Sequence, residues 1–199
     1  MPLDEHVEAI ALRLYEIGAV RLGQFTLHSG RISPIYIDLR LLASYPELLR
    51  QVAAAYGLML RPLKFDLLSA APLAGLPIGT ALSLEMNIPL IYPRLTAKAH
   101  GTGKKIEGRW ERGQRVMVID DLITSGDSLL QTIAALEEGG LIVKEAGVLI
   151  DREQGGKQFI ESEGYRLHSV MTIGQLLGFL ERKGRITTQQ VAGILEALA

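Results

Sequence analysis

The stretch from residue 116 to residue 128 limits, more than any other, the folds open to this chain. Val116 to Ile119 is an unbroken apolar run rich in β-branched residues, typical of a parallel strand that is buried on both faces. Asp120 and Asp121 follow directly, and Thr124 to Ser128 are small or polar residues around one glycine. This order predicts a strand that ends at the two acids, followed by a sharp loop. In an open α/β sheet, that edge is where ligands bind.

The residues after this loop predict a helix. Leu129, Ile133 and Leu136 recur at helical spacing, and Gly139-Gly140 is suited to end the helix. The first turn of a helix offers free N–H groups and a positive dipole end, and a loop of small residues adds further N–H groups, so a phosphate belongs there. The preceding aspartates would repel a phosphate but are suited to accept hydrogen bonds from a ribose diol. The stretch therefore indicates a binding site for a sugar phosphate.

Val118 to Gly126 resembles the phosphoribosyl pyrophosphate motif of the type I phosphoribosyltransferases. In that family the paired acids hold the ribose hydroxyls and the small-residue loop holds the 5-phosphate. The resemblance implies an α/β fold of the type I phosphoribosyltransferase kind, with a central, mostly parallel sheet flanked by helices and a small N-terminal hood. It also implies that phosphoribosyl pyrophosphate is bound by Asp120, Asp121, Leu122, Ile123, Thr124, Ser125, Gly126, Asp127 and Ser128.

Length and composition indicate one globular domain that covers residues 1–199. Hydrophobic residues make up 48% and charged residues 22% of the chain, and the net charge of −1 disfavours a nucleic-acid partner. The absence of cysteine excludes a thiolate metal site and a catalytic thiol. There is no signal pattern and no apolar run near the ~20 residues of a membrane span, so we expect a cytoplasmic protein without a membrane partner.

Two short runs near the N-terminus predict a two-stranded ribbon. Phe25 to Gly30 and Ser33 to Asp38 also resemble the hood of the orotate branch of the family. His28 stands where that branch often has a lysine that reaches the substrate phosphates, and Tyr36 would lie near the base. We expect the hood to cover about residues 20–40 together with C-terminal segments, and the core to cover about 60–173.

The apolar pattern stops from Thr96 to Gln114, a stretch that carries four glycines and a net charge of +3, from five basic and two acidic residues. Irregular loops longer than ~12–15 residues are uncommon unless they are functional or disordered. The composition predicts a mobile, basic lid over about residues 96–114 beside the anion site.

The start of this stretch resembles the lid motif of the orotate branch, with Arg94, Lys98, His100 and Gly101 at matching positions. The resemblance implies that Arg94, Lys98 and His100 bind phosphoribosyl pyrophosphate and that Lys98 and His100 are catalytic. Leu95 replaces a lysine of the motif. In the turn before the helix that reaches Met86, Ala74 stands where the family often has a lysine or threonine.

Arg152 follows the apolar run that ends at Ile150, which predicts a strand. An arginine at the carboxyl end of a strand can bind a carboxylate or a planar imide edge through its forked N–H groups, and orotate has both. In the orotate branch, the positions of Arg152 and Thr124 bind the base.

The reaction implied by the resemblance joins orotate and phosphoribosyl pyrophosphate to give orotidine 5'-monophosphate and pyrophosphate. Mg²⁺ is expected through the substrate, without dedicated protein ligands. In the family the lid commonly reaches into the site of the neighbouring subunit, so we expect a homodimer. Two alternatives remain open from the sequence. One is a phosphoribosyltransferase for another base, such as a purine, which Arg152 and the hood disfavour. The other is a relative that binds phosphoribosyl pyrophosphate but turns over poorly, because Ala74, Leu95 and His28 each replace a residue that is often polar or basic.

Overall fold

The computed structural model describes residues 3–26, 30, 32–94 and 105–198. The α-helices are α1 (Leu3–Glu16), α2 (Pro46–Leu60), α3 (Gly75–Met86), α4 (Asp127–Glu138), α5 (Gly156–Ser162), α6 (Ile173–Arg182) and α7 (Thr188–Leu198). The strands are β1 (Val20–Thr26), β2 (Ile32–Ile37), β3 (Leu67–Ala70), β4 (Leu90–Pro93), β5 (Ile106–Glu107), β6 (Arg115–Ile123), β7 (Ile142–Asp151) and β8 (Arg166–Thr172). A short 3₁₀ helix, Leu39–Ser44, connects β2 to α2.

The larger sheet of the described chain has six strands in the order β5-β4-β3-β6-β7-β8. All neighbouring strands in it are parallel except β5, which pairs antiparallel with β4. The strand order changes direction between β3 and β6, and such switch points are where α/β sheets bind ligands. The predicted α/β fold with a central, mostly parallel sheet flanked by helices is confirmed.

β6 divides the core into two halves because its residues alternate between the two faces of the sheet. Met117 and Ile119 pack with α1, α2, α3 and α6 on one face, whereas Val116 and Val118 pack with α4 and α5 on the other. Leu129, Ile133 and Leu136 of α4 are buried as the helical spacing predicts. This double burial explains the unbroken apolar run and holds the tip of β6 rigidly.

The ribbon predicted near the N-terminus is present as the antiparallel pair β1 and β2. It lies apart from the larger sheet and packs against α1 and α7, so the C-terminal helix contributes to this small hood. None of the helices in the described part of the chain is long and apolar enough to cross a membrane.

The structure differs from the sequence prediction in two places near the site. β6 does not stop at Ile119 but continues to Ile123, and beyond Ile119 it pairs with β7 alone. The stretch from Thr96 to Gln114 is not irregular throughout, because Ile106 and Glu107 form β5 and Ile106 is buried. The sequence does not predict β5, because a two-residue strand leaves almost no periodicity.

Candidate active site

A cavity of about 250 Å³ opens at the carboxyl end of β6. Its wall is formed by the turn before α3, the tip of β6, the following loop and the first turn of α4. The lining residues are Pro72, Leu73, Ala74, Asp120, Asp121, Leu122, Ile123, Thr124, Ser125, Gly126, Asp127, Ser128 and Leu129. Every residue that the sequence assigned to the sugar-phosphate motif therefore lines one cavity.

Asp120 is the more deeply placed of the two acids, with 6% of its surface exposed. Its Oδ1 accepts a hydrogen bond from the Asp121 backbone N–H at 2.8 Å, and its Oδ2 accepts one from the Ser128 hydroxyl at 3.4 Å. The backbone carbonyl of Asp120 accepts a bond of 2.7 Å from the hydroxyl of Tyr56, which is fully buried on α2. The helix layer thus supports the strand tip directly below the acids.

Burial and mutual repulsion disfavour the ionised forms of the two acids. Burial, and then the neighbouring charge of Asp121, raise the pKa of Asp120 to about 8. Burial also raises the pKa of Asp121, and hydrogen bonds and the charge of Arg40 oppose that rise. Hydroxyl donors or a cation placed against the pair would stabilise the ionised carboxylates.

The loop after the acids presents backbone N–H groups to the same cavity. Gly126 precedes the first residue of α4 with φ of +96°, a conformation that favours glycine, and no side chain caps the helix. The Ser125 hydroxyl donates to Asp127 at 2.6 Å, so Asp127 does not cap the first turn. Uncapped N–H groups and the dipole of a helix form an anion site, which matches the phosphate end of the predicted ligand.

The turn before α3 approaches the acids very closely. A Cβ atom on Gly75 would lie 2.9 Å from the Ile119 carbonyl oxygen and 3.3 Å from Oδ1 of Asp120. No side chain caps this helix either, since Ala74 occupies the N-cap. The absence of a side chain at Gly75 therefore lets the start of α3 form the second wall of the cavity.

Arg152 follows β7 at the same edge of the sheet. Its backbone N–H donates to the Ile123 carbonyl at 3.1 Å, which places it beside the tip of β6. Its Nε is buried without a hydrogen-bond partner among the described residues, and burial lowers the pKa of the guanidinium. A buried N–H group without a partner is costly, so this arginine is prepared for an acceptor that a ligand supplies.

The loop that carries Arg152 packs against the loop from Thr124 to Ser128, and no side chain lies between the two backbones at this contact. A Cβ atom on Gly156 would lie 2.5 Å from the Thr124 carbonyl oxygen and 2.7 Å from Cγ1 of Ile123. Gly126 is packed from the other side by Ile160. Backbone contact between the two loops brings the predicted base-binding residues, Thr124 and Arg152, into one neighbourhood.

Similar proteins identify the family of this chain, although no family model matches the sequence. The orotate phosphoribosyltransferase of Pyrobaculum islandicum is 40% identical over 94% of this chain and 96% of its own length. The chain belongs to the orotate phosphoribosyltransferase family.

Two longer relatives extend the comparison. The bifunctional enzyme PyrF/PyrE of Nostoc sp. is 40% identical over 91% of this chain, and the UMP synthase of Leishmania donovani superposes with a TM-score of 0.87 at 44% identity over 96% of it. The chain spans 38% and 42% of the lengths of these two proteins. The identity covers both the sheet and the hood of this member of the orotate phosphoribosyltransferase family.

The lid motif of the family is only partly within the described residues. Arg94 is described, and its Nη1 donates to Oε1 of Glu107 on β5. Lys98, His100 and Gly101 lie outside the described residues, as do Leu95 and His28. The roles that the family resemblance assigns to Lys98 and His100 therefore stay predictions.

The hood of this family member carries a polar network that faces the acids. Arg40 donates to both carboxylate oxygens of Asp38, at 2.7 and 2.9 Å, and to the Tyr36 hydroxyl at 3.4 Å. The guanidinium of Arg21 lies 5.0 Å from the centre of the Tyr36 ring. The charge of Arg40 reaches Asp121 and opposes the rise of its pKa, so this network lies on the side of the acids, and the placement of Tyr36 near the base stays a prediction.

The described residues contain no group of three or more acidic, histidine or cysteine side chains suited to hold a metal. Mg²⁺ is commonly bound through one or two carboxylates with substrate oxygens and water. Asp120 and Asp121 fit that pattern, because they are adjacent carboxylates whose pKa values are raised chiefly by burial, and a cation would favour their ionised forms.

Sequence reasoning missed two residues that shape the site. Tyr56 lies 64 residues before the carbonyl that it supports, and a tyrosine in an apolar helix reads as ordinary core. Glu107 reads as one acid within a basic loop, and only the pairing of β5 with β4 shows that it lies next to Arg94.

Proposed function

We propose that the chain transfers the 5-phosphoribosyl group from phosphoribosyl pyrophosphate to orotate, giving orotidine 5'-monophosphate and pyrophosphate in pyrimidine nucleotide biosynthesis. The observation that carries this proposal is one cavity that joins the buried Asp120 and the half-buried Asp121 to an uncapped helix start. At the same sheet edge, Nε of Arg152 has no hydrogen-bond partner among the described residues. These groups complement a ribose diol, a phosphate and the acceptor edge of orotate respectively. Membership of the orotate phosphoribosyltransferase family supports the same assignment.

The chemistry follows from where charge develops. When the bond at the anomeric carbon breaks, the ribose gains positive character and the pyrophosphate gains negative charge. Asp120 and Asp121, ionised when the ribose hydroxyls donate to them, stabilise the positive sugar electrostatically. The N–H groups of the loop from Thr124 to Ser128 hold the 5-phosphate, and Arg152 aligns the orotate ring so that its nitrogen meets the anomeric carbon.

We propose Mg²⁺ as the cofactor, held through the substrate and supported by the two aspartates. When bound, Mg²⁺ would supply charge neutralisation on the pyrophosphate. The protein contributes the positioning of the hydroxyls and the exclusion of water. A cytoplasmic location stays a prediction from the sequence.

The test is the loss of orotate absorbance when phosphoribosyl pyrophosphate and Mg²⁺ are added to the purified chain. We expect loss with orotate and no competition by adenine or hypoxanthine. Consumption of a purine instead of orotate would favour a phosphoribosyltransferase for another base. Binding of phosphoribosyl pyrophosphate without release of pyrophosphate, with orotate present, would favour the weakly active relative.

We propose that Lys98 and His100 are catalytic residues of the lid, a role supported by the match of Arg94, Lys98, His100 and Gly101 to the family motif. We expect Lys98→Ala to lower kcat about 10²-fold, the usual cost of losing one preorganised donor to developing negative charge. Steady-state kinetics would measure the loss. Lys144→Ala, which removes an exposed lysine of β7, is the control and should leave kcat unchanged. An unaltered kcat in Lys98→Ala would remove the lysine from the mechanism.

We further propose that the chain works as a homodimer, and an exposed apolar face of α3 supports this. From Gly75 to Met86 the only charged residue is Glu85, and helices that are apolar on all sides are normally buried. Yet Leu84 is 81% exposed, and Leu73, in the turn before α3, is 70% exposed. Leu73 also lines the cavity of the acids, so a second copy that covers Leu73 would lie against the candidate active site.

The homodimer predicts a clear effect of charge on this face. We expect Leu84→Arg to convert the protein to a monomer, because a guanidinium would be buried without a partner in the interface. Sedimentation velocity over a range of concentrations measures the change. Leu195→Arg, at an exposed leucine of α7, is the matched control and should stay dimeric. A wild-type monomer at every concentration, or a dimeric Leu84→Arg variant, would contradict the proposal.

A further inference from the structure

Arg94 lines a second cavity of about 180 Å³ that adjoins the cavity of the acids. Pro72 and Ser128 belong to the walls of both cavities. The second cavity also includes Gln131 and Thr132 of α4. Arg94 therefore supplies positive charge to a space that continues from the site of the ribose and its phosphate.

The guanidinium of Arg94 is held by an acid on the neighbouring strand. Nη1 of Arg94 donates to Oε1 of Glu107 at 2.5 Å. Tyr92 is the direct cross-strand partner of Glu107, and the Arg94 backbone N–H donates to the Lys105 carbonyl at 2.9 Å. Arg94 and Glu107 are thus diagonal neighbours on an antiparallel pair, a spacing that long side chains can bridge.

This pair is less exposed than the neighbouring ion pair of Lys105 and Glu138. The side chains of Arg94 and Glu107 are 28% and 37% exposed, whereas those of the pair formed by Lys105 and Glu138 are 66% and 62% exposed. Partial withdrawal from water strengthens the attraction between opposite charges. An arginine has five N–H donors. Among the described residues, the side chain of Arg94 bonds to Glu107 through Nη1, and Nε and Nη2 can donate to another acceptor.

We propose that Glu107 is a positioning residue that holds Arg94 ready for the anionic leaving group of the sugar substrate. The inference rests on the proposed function, since it assumes that a pyrophosphate group enters the cavity beside Arg94. A free arginine side chain must lose rotamer freedom when it binds an anion. Because Glu107 restricts Arg94 beforehand, that loss is smaller, and affinity for the anion rises.

The experiment compares three residues at position 107 with a matched control at Glu111. Glu111 is an exposed acid of the same stretch and has no ion pair among the described residues. Glu107→Ala should raise KM for phosphoribosyl pyrophosphate about tenfold, below the ~10² that a fully misplaced group can cost, with kcat within about twofold. The KM of Glu107→Gln should lie between those of wild type and Glu107→Ala, because the amide oxygen still accepts a hydrogen bond. Glu111→Ala removes the same charge and should behave as wild type.

A direct measurement separates positioning from other effects. Calorimetric titration with inorganic pyrophosphate should show the same order of affinities, and unfolding curves followed by Trp110, the one tryptophan of the chain, should show no loss of stability. In an Arg94→Ala background, Glu107→Ala should have no further effect, because Glu107 acts through Arg94.

The possible results are distinct. If Glu107→Ala tightens pyrophosphate binding, the carboxylate competes with the ligand and the inference is overturned. Equal effects of Glu107→Ala and Glu111→Ala would show that only the loss of a negative charge matters, and this result would also overturn the inference. A wild-type chain that binds pyrophosphate but does not consume orotate would refute the proposed function while leaving the role of Glu107 measurable by the titration.

Discussion

Asp120→Asn will lower kcat/KM about 10²–10³-fold and, at the same time, stabilise the folded chain. The loss of activity is the usual cost of removing one charged partner from a desolvated polar contact, about 3–4 kcal/mol. The gain in stability has a separate cause. In the ligand-free protein, the Asp120 carboxylate is buried beside Asp121, and its pKa rises from 3.8 to about 8.

The sign of the pH dependence follows from that shift. Below about pH 4 both the folded and the unfolded chain carry the proton on Asp120, so the group does not affect stability. Between about pH 4 and pH 8 the folded chain keeps the proton and the unfolded chain has lost it, so stability falls as pH rises. Asparagine has no such titration, and the advantage of Asp120→Asn therefore grows over this interval and levels off above about pH 8.

Thermal unfolding of the ligand-free proteins between pH 5 and pH 8 measures this effect. We expect the gain to grow with pH between pH 5 and pH 7.5 by up to about 1.4 kcal/mol for each pH unit, or about 3–5 °C in Tm for a chain of this size. Asp66→Asn is the control. The bonds from Arg115 lower the pKa of Asp66, so the contribution of Asp66 to the free energy of unfolding does not change with pH above pH 5. An Asp120→Asn variant that is less stable than wild type at pH 7.5 would show that the carboxylate is not strained by burial.

Arg152→Leu will lower kcat/KM for orotate about 10²–10³-fold, because a site built to hydrogen-bond a substrate loses a charged donor. Binding of phosphoribosyl pyrophosphate should stay within about twofold, since the acids and the phosphate loop remain in place. Stability should not fall, because the variant removes a guanidinium whose buried Nε has no partner in the described part of the chain. Kinetics with each substrate varied separately and a calorimetric titration with phosphoribosyl pyrophosphate measure the two effects.

Arg166→Leu is the matched control for Arg152→Leu. Arg166 is an exposed residue that begins β8 at the opposite edge of the sheet, and its replacement should leave both constants unchanged. Equal losses for the two substrates in Arg152→Leu would show that the arginine supports the loop as a whole and does not recognise the base.

The sequence predicted the sheet and the sugar-phosphate site because both leave local signals. The apolar run from Val116 to Ile119 is long enough to identify a strand buried on both faces, and the acids and small residues follow it without a gap. The carboxyl edge of a parallel sheet then brings Arg152 to the same place from the next strand. The order of the strands along the chain was therefore enough to predict that Arg152 lies at the same edge of the sheet as the acids.

What the sequence could not predict depends on contacts between distant or very short elements. β5 has two residues and no periodicity, so neither its pairing nor the ion pair of Glu107 with Arg94 was foreseeable. The hydroxyl of Tyr56 meets the carbonyl of Asp120 only because α2 packs beneath the tip of β6. The burial that raises the pKa of Asp120 is likewise a property of the folded core and of no local pattern.

The backbone contact between Gly156 and Thr124 has a consequence for how such a protein can change. Since the backbone at Gly156 approaches the Thr124 carbonyl too closely for a side chain, the loop that carries Arg152 and the loop from Thr124 to Ser128 cannot be reshaped independently. A new base would have to be accommodated by Arg152 and its neighbours while the path of Thr124 is preserved. A change of base specificity would therefore have to leave the binding of the shared sugar phosphate intact.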